Sequence, residues 1–221
     1  MTHKLTRPTQ GQVRITGGAW RSRMLRFPAV QDLRPTADRV RETLFNWLGQ
    51  DLTGKTCLDL FAGSGALGFE ALSRNARAVV MVERDAKVRA ALSSNAKLLQ
   101  AGPRLTIDGG DALQFLRTVT KQPATQVDTQ SVTQLVTQTM LRFDLIFCDP
   151  PFREAWFDRE WPVFAEALAG ALAQGGMVYA ESGAPLQVPP GWDVVKSGKA
   201  GQVFYQLLAR APAETVTAPA Q

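Results

Sequence analysis

The chain has 221 residues, 45% of them hydrophobic, with a formal charge of +5 and one histidine. That length supports one sizeable α/β core and is too short for two large domains. No apolar run reaches membrane-spanning length, the first thirty residues lack a signal-peptide pattern, and His3 alone supplies neither a histidine base nor a histidine metal site, so a soluble, cytoplasmic protein without membrane contact or bound metal is expected.

The charge is uneven. Residues 1–50 hold nine Lys or Arg against three acidic residues, while residues 51–221 hold sixteen against seventeen. The basic excess at one end suits an anionic partner, although an arginine run also serves as a solvated face. Cys57 and Cys148 each sit in an apolar, strand-like run and are expected to be small buried hydrophobes.

The first predicted element is a β-hairpin: Val13 to Thr16, a turn at Gly17-Gly18, then Trp20 to Phe27 carrying Arg21, Arg23 and Arg26. Pro35 and Thr36 then open a helix with Val40, Leu44, Trp47 and Leu48 on one face and Gly49 placed to stop it. From Thr56 the chain alternates. Strands are expected near 56–60, 78–83, 104–108, 143–148 and 176–181, and helices near 66–74, 85–100, 111–119 and 157–173. This rhythm predicts an α/β fold with a doubly wound, mostly parallel sheet. Trp192 to Leu208, interrupted at Gly198-Lys199-Ala200-Gly201, predicts a hairpin that adds antiparallel strands at one edge. The expected division is a basic extension over 1–50, a catalytic domain over 51–210 with a flexible Gln- and Thr-rich insertion at 121–140, and a disordered tail over 211–221.

Leu58 to Gly68 reads L-D-L-F-A-G-S-G-A-L-G, a glycine-rich turn between a strand and a helix, where backbone must approach a ligand closely. Gly63, Gly65 and Gly68 also fit a dinucleotide fingerprint, so the glycines alone do not choose a cofactor. Two residues favour S-adenosylmethionine: Asp59 before the turn suits its ammonium and sulfonium, which seek carboxylates, and Asp111 after the third strand can accept from the adenine amine, while Glu83 suits ribose hydroxyls. Asp59 could instead cap the turn, and Asp111 the next helix. The expected cofactor contacts are Asp59, Phe61, Ala62, Gly63, Ser64, Gly65, Gly68, Glu83, Arg84, Asp111 and Ala112.

The fourth strand runs directly into Asp149-Pro150-Pro151-Phe152, at the carboxyl edge where open α/β sheets bind ligands. An aryl amine is a poor nucleophile because its lone pair is delocalised into the ring. Acceptors on both N–H groups, the Asp149 carboxylate and the Pro150 carbonyl, draw that pair out of conjugation while the prolines preorganise the turn. Phe152 would stack on the extruded base, a contact worth about 1–3 kcal/mol. The tetrad accepts guanine or adenine alike.

Beyond the tetrad and the cofactor loop, three segments carry a more specific signal: Arg14-Ile15-Thr16-Gly17-Gly18-Ala19-Trp20-Arg21, the stretch Leu33 to Leu48 reading L-R-P-T-A-D-R-V-R-E-T-L-F-N-W-L, and Lys199-Ala200-Gly201-Gln202-Val203. With them the chain resembles, over nearly its whole length, the RsmD-type methyltransferases that modify N2 of one guanine in small-subunit ribosomal RNA. The resemblance implies a class I S-adenosylmethionine-dependent fold, 16S rRNA in the assembled or assembling small subunit as partner, and an RNA-engaging N-terminal hairpin. It also implies that Arg34 and Thr36 lie near cofactor and target base. Arg14, Arg21, Arg23, Arg26 and Arg39 are the expected RNA contacts, and the protein is expected to act as a monomer. The insertion at 121–140 departs from the compact family pattern. The competing readings are an N6-adenine methyltransferase, for which 221 residues show no separate target-recognition domain; a nicotinamide-dependent oxidoreductase, which lacks a hydride-transfer partner; and a non-catalytic RNA-binding assembly factor, which leaves the tetrad unexplained.

Overall fold

A computed structural model describes residues 10–29, 35–121, 142–151 and 156–212. Arg34, Phe152, the predicted insertion beyond Lys121 and residues 213–221 of the predicted tail lie outside the described residues.

Two short strands, β1 (Gln10–Arg14) and β2 (Met24–Pro28), pair antiparallel with Val13 opposite Leu25. Helix α1 spans Asp38–Trp47. The main alternation follows as β3 (Thr56–Asp59), α2 (Ala66–Ser73), β4 (Ala78–Val82), α3 (Ala86–Leu99), β5 (Leu105–Asp108), α4 (Ala112–Lys121), β6 (Phe143–Cys148), α5 (Trp156–Ala171), β7 (Leu172–Ser182), β8 (Trp192–Ala200) and β9 (Val203–Arg210). The seven-stranded sheet runs β5-β4-β3-β6-β7-β9-β8. Five strands from β5 to β7 pair parallel, and β9 runs against both its neighbours. The doubly wound, mostly parallel sheet with a C-terminal hairpin is therefore as expected, with β9 lying inside β8.

The central strands are largely apolar because both sheet faces are covered, and the period-2 geometry of a strand divides their side chains between two layers. Cys57, Val79, Met81, Leu145 and Phe147 face one layer together with residues of α1, α2 and α3. Leu58, Val80, Val82, Ile146 and Cys148 face the other, against α4 and α5. Val13, Ile15, Leu25 and Phe27 of the N-terminal segment join the first layer. Both cysteines are free and buried. Among the described residues no helix is long and apolar enough to cross a membrane.

Two turns differ from expectation, for one reason. Gly17-Gly18 is not the hairpin turn: β1 ends at Arg14, β2 starts at Met24, and residues 15–23 form a loop docked on α2. An added Cβ would lie 2.2 Å from the Arg74 guanidinium at Gly17, and 1.9 Å from the Ser73 carbonyl oxygen at Gly18. These glycines permit close approach between segments. Likewise Gly198 stays in β8 because a Cβ there would meet the Tyr205 ring at 2.5 Å, and the tight turn falls at Gly201-Gln202, with Gly201 at φ +62. Pro35 and Thr36 precede α1 rather than opening it, and Ala37 occupies the N-cap.

Candidate active site

In this sheet β4 and β5 lie on one side of β3, and β6 and β7 on the other, so the winding direction reverses between β3 and β6. The carboxyl ends of adjacent parallel strands diverge there and leave a crevice. Each strand around it ends in an acidic residue: Asp59 on β3, Glu83 just beyond β4, Asp108 on β5, Asp149 just beyond β6, and Glu181 near the end of β7.

The glycine-rich loop is hydrogen-bonded to the first two. Gly68 N–H donates to Asp59 Oδ2 at 3.0 Å, and Gly63 N–H donates to Glu83 Oε2 at 3.0 Å. Asp85 N–H donates to Glu83 Oε1 at 2.8 Å, so one carboxylate ties the loop to the end of β4. Gly65 adopts φ +78, and a Cβ there would collide with Phe69 and Leu92. A Cβ at Gly68 would lie 2.4 Å from Met81 Cε, so this glycine lets α2 pack close to β4. Ser64 Oγ accepts from Ala66 N–H at 3.3 Å, Ala62 is buried, and Phe61 stacks on Phe164 with ring centroids 5.9 Å apart. Burial pushes the Asp59 carboxyl up to about 7, the Glu83 charge adds to that, and the Gly68 and Phe61 N–H groups oppose it.

On the other side of the switch point, Thr36 Oγ1 donates to Asp149 Oδ2 at 3.2 Å. Pro150 is buried and Pro151 partly so. Burial, together with the charges of Glu181 and Asp59, holds the Asp149 carboxyl well above the usual range, and the Thr36 hydroxyl opposes this. Glu181 is 3% exposed and accepts from the Tyr179 hydroxyl at 2.8 Å. Burial raises its carboxyl too, against Tyr179, Thr36 and Arg41.

Thr36 is held in place by a buried arginine. Arg41, on α1 and fully buried, donates to the carbonyls of Thr36 and Arg14 and to Asp38 Oδ1 at 2.9 Å, and its Nε lies 3.6 Å from Glu70 Oε2. Glu70, fully buried on α2, also accepts from Thr16 N–H at 2.8 Å, Gly17 N–H at 2.7 Å and Arg74 Nη2 at 2.9 Å. The buried charges are thus paired, as a low-dielectric interior requires, although Arg41 Nε has an ion-pair contact and no hydrogen bond among the described residues.

Of the cofactor residues expected from sequence, Asp59, Gly63, Gly68 and Glu83 meet in one hydrogen-bonded loop, and Thr36 reaches the crevice from the N-terminal side. Asp111 is exposed and caps α4, its Oδ1 accepting from Leu113 and Gln114 N–H at 3.0 and 3.1 Å, with Ala112 buried behind it. Arg84 is exposed, and its carbonyl accepts from Arg89. Asp108 and Glu181 were missed. An acidic residue at or next to the last position of each predicted strand was the available signal.

The five described basic candidates are all exposed. Arg14 pairs with Asp38 at 3.0 Å, whereas among the described residues Arg21, Arg23, Arg26 and Arg39 have no carboxylate within ion-pair distance. Arg26 lies on β2, whose backbone is fastened to α3: Arg26 N–H donates to Asn95 Oδ1 at 3.2 Å, and Asn95 Nδ2 donates to the Arg26 carbonyl at 2.9 Å.

A family model described as Conserved hypothetical protein 95 matches residues 13–209, a range that takes in the hairpin, the glycine-rich loop, Asp149 and the C-terminal strands. The chain belongs to this family. The resemblance read from the N-terminal segments and residues 199–203 is thereby borne out. As a Conserved hypothetical protein 95 member, the chain is 39% identical over 204 residues to the ribosomal RNA small subunit methyltransferase D of Escherichia coli strain K12, with 90% of this chain and 91% of that protein covered. A solved Escherichia coli methyltransferase structure, yhhF, is 39% identical and superposes with a TM-score of 0.68 over 90% of this chain and 98% of its own. The methyltransferase SMU.776, solved in complex with SAH, is only 14% identical but superposes with a TM-score of 0.64 over 94% of this chain and 57% of its own, which shows a common fold.

Proposed function

We propose that this protein transfers the methyl group of S-adenosylmethionine to the exocyclic N2 amine of one guanine in 16S ribosomal RNA, in the assembled or assembling small subunit. The observation that carries amine methylation is the position of Asp149-Pro150-Pro151 at the switch point, across the crevice from the glycine-rich loop, and the resemblance over residues 14–48 favours guanine over adenine. The relatives named as small-subunit ribosomal RNA methyltransferases support the substrate class.

The residues present fit this methyl donor. Asp59, Glu83 and Asp108 make the cofactor side of the crevice acidic, which complements an ammonium and a sulfonium and opposes a pyrophosphate. That favours a methyl donor over a nicotinamide dinucleotide. Asp59 and the loop around Gly63 and Gly65 would hold the methionine end, and Glu83 the ribose. When bound, the donor supplies an electrophilic methyl on sulfur. Asp149 accepts one N–H of the target amine and the Pro150 carbonyl the other, which localises the lone pair on nitrogen for attack. As positive charge develops on that nitrogen its proton becomes acidic, and Asp149 or water takes it. Action as a monomer in the cytoplasm belongs to the same reading.

The decisive experiment is transfer of labelled methyl to small subunits from cells lacking the modification, followed by nucleoside analysis. N2-methylguanosine is expected; N6-methyladenosine, or no product, overturns the reading.

A further inference from the structure

We infer that the carboxyl edge of β7, β9 and β8 is a second RNA-contact surface, on which Lys199 binds a backbone phosphate of the strand flanking the target guanine and Gly183 leaves room for that backbone to pass. This rests on the reading of the protein as an RNA methyltransferase, and it extends the RNA contacts beyond the N-terminal arginines.

Strand register places the surface. Cys148 pairs with Ala180, so Glu181 follows at the level of Asp149. Glu181 and Ser182 pair with Tyr205 and Phe204 of β9, and these in turn with Gly198 and Lys199 of β8. Lys199 thus stands one residue further out along the edge that carries Asp149. At about 4.8 Å per strand, two steps to β9 and three to β8 put the Lys199–Phe204 pair about 10–15 Å to the side. A stacked strand covers that span in about three or four nucleotides, at about 3.4 Å each. The cofactor loop follows β3, on the far side of β6 from these strands, so RNA laid over this edge leaves the cofactor's place clear.

The chemistry at that position suits a phosphate. Lys199 is exposed, and its Nζ stands over the Phe204 ring, 4.6 Å from the centroid, which favours one placement of a flexible side chain. Among the described residues no carboxylate lies within ion-pair distance of it. Lys199 therefore carries a positioned charge that no described acidic group neutralises.

The edge between Asp149 and Lys199 is low. Glu181 and Ser182 are buried, and the Ser182 hydroxyl turns back to donate to the Ala184 carbonyl at 2.6 Å. Gly183 is exposed, its φ lies outside the left-handed region, and nothing stands within 4 Å of where a Cβ would be. Neither backbone conformation nor packing inside the protein calls for a glycine there. A strand-end glycine of that kind suits close approach by another chain. The β8–β9 turn is equally open around Gly201.

The test uses Lys199→Gln, Lys199→Arg and Gly183→Leu in the full chain, with the thermal midpoint and SAH affinity as checks of the fold. Binding to small subunits and to protein-free 16S rRNA is measured against salt, and kcat and KM are measured on subunits. Lys199→Gln should flatten the log–log salt slope by about 0.7–0.9 on both RNAs, and raise KM about threefold or more rather than lower kcat. Lys199→Arg should keep the wild-type slope. Gly183→Leu should raise KM without changing the thermal midpoint, since the added side chain meets nothing in the protein. A wild-type slope in Lys199→Gln, or a wild-type KM in Gly183→Leu, overturns the proposal. A slope change on subunits that is absent on protein-free rRNA assigns the surface to a ribosomal protein and overturns it as well. If Lys199→Gln lowers the thermal midpoint, Gly183→Leu decides alone. The slopes are read without turnover, so a wild type that binds RNA but transfers no methyl would remove the proposed function and leave this surface tested.

Discussion

The Thr36 hydroxyl lies 3.2 Å from Asp149 Oδ2, joining residues 113 positions apart in sequence. Thr36 precedes α1 in the N-terminal segment, and Asp149 ends β6, a central strand of the sheet. The N-terminal segment therefore supplies part of the catalytic crevice. Its geometry depends on Arg41, which holds the Thr36 carbonyl, and through Arg41 on Glu70.

Replacing Asp149 by Ala is expected to reduce methyl transfer by about 10²-fold or more, the range for losing a positioned acid–base or acceptor group. SAH affinity should change little, because the proposed mechanism sets Asp149 against the target amine. Single-turnover transfer and calorimetry separate the two. A large affinity loss would move Asp149 into the cofactor pocket.

Asp59→Asn tests the cofactor side and carries a pH signature. The Asp59 carboxyl rises from an ordinary value near 3.8 to about 7 in the folded chain, so the native state binds the proton more tightly than the unfolded state. Raising the pH through that window must then cost the ligand-free protein stability, up to about 4 kcal/mol from this group. Thermal unfolding of the ligand-free variant at pH 5 and pH 8 should show that much of this pH dependence has gone, and SAH affinity should fall. A variant with the wild-type pH dependence would contradict the assignment.

Glu70→Ala leaves Arg74 as a buried cation without its carboxylate and Arg41 with Asp38 alone. The expected cost is about 3–5 kcal/mol in urea unfolding, the range for breaking a buried pair. Activity should fall as well, since Arg41 fixes Thr36. A loss below about 1 kcal/mol would mean that the network relaxes or hydrates.

Asn95→Ala removes the side chain that pairs with both the N–H and the carbonyl of Arg26. Leaving partly buried backbone groups without partners costs about 1–3 kcal/mol. Hydrogen exchange should rise selectively across β1 and β2. Uniform exchange across the whole chain would instead mean that the hairpin unfolds only with the core.

Replacing Arg21, Arg23 and Arg26 together should flatten the salt dependence of RNA binding by up to about 0.7–0.9 in log–log slope per lost phosphate contact. Arg14 is the internal comparison, because it already pairs with Asp38 and should contribute less. A slope unchanged in the triple variant would demote all three to a solvated surface.

The parallel sheet was legible because strands buried on both faces leave uninterrupted apolar runs, such as Ala78–Val82 in β4 and Leu145–Cys148 in β6. The loop around Gly63 and its acidic partners were legible for the same local reason. Gly17-Gly18 was misread because a tight turn and a close backbone approach use the same residue, and only contact with Ser73 and Arg74 tells them apart. Asp111 carried both readings in its sequence, and the structure uses its Oδ1 as a helix cap. Glu181 escaped because a strand-ending Glu-Ser-Gly looks like an ordinary stop. Its place beside Asp149 comes from strand order, which sets β7 next to β6.

Asn95 holds β2 against α3, while Arg41 binds the carbonyls of both Arg14 and Thr36, so the hairpin and the crevice form one stiff frame. On the proposed reading, with Arg26 on β2 contacting RNA, that strand is a fixed jaw, and its separation from Asp149 is a gauge that admits for methylation only a nucleotide at one set distance from the grip.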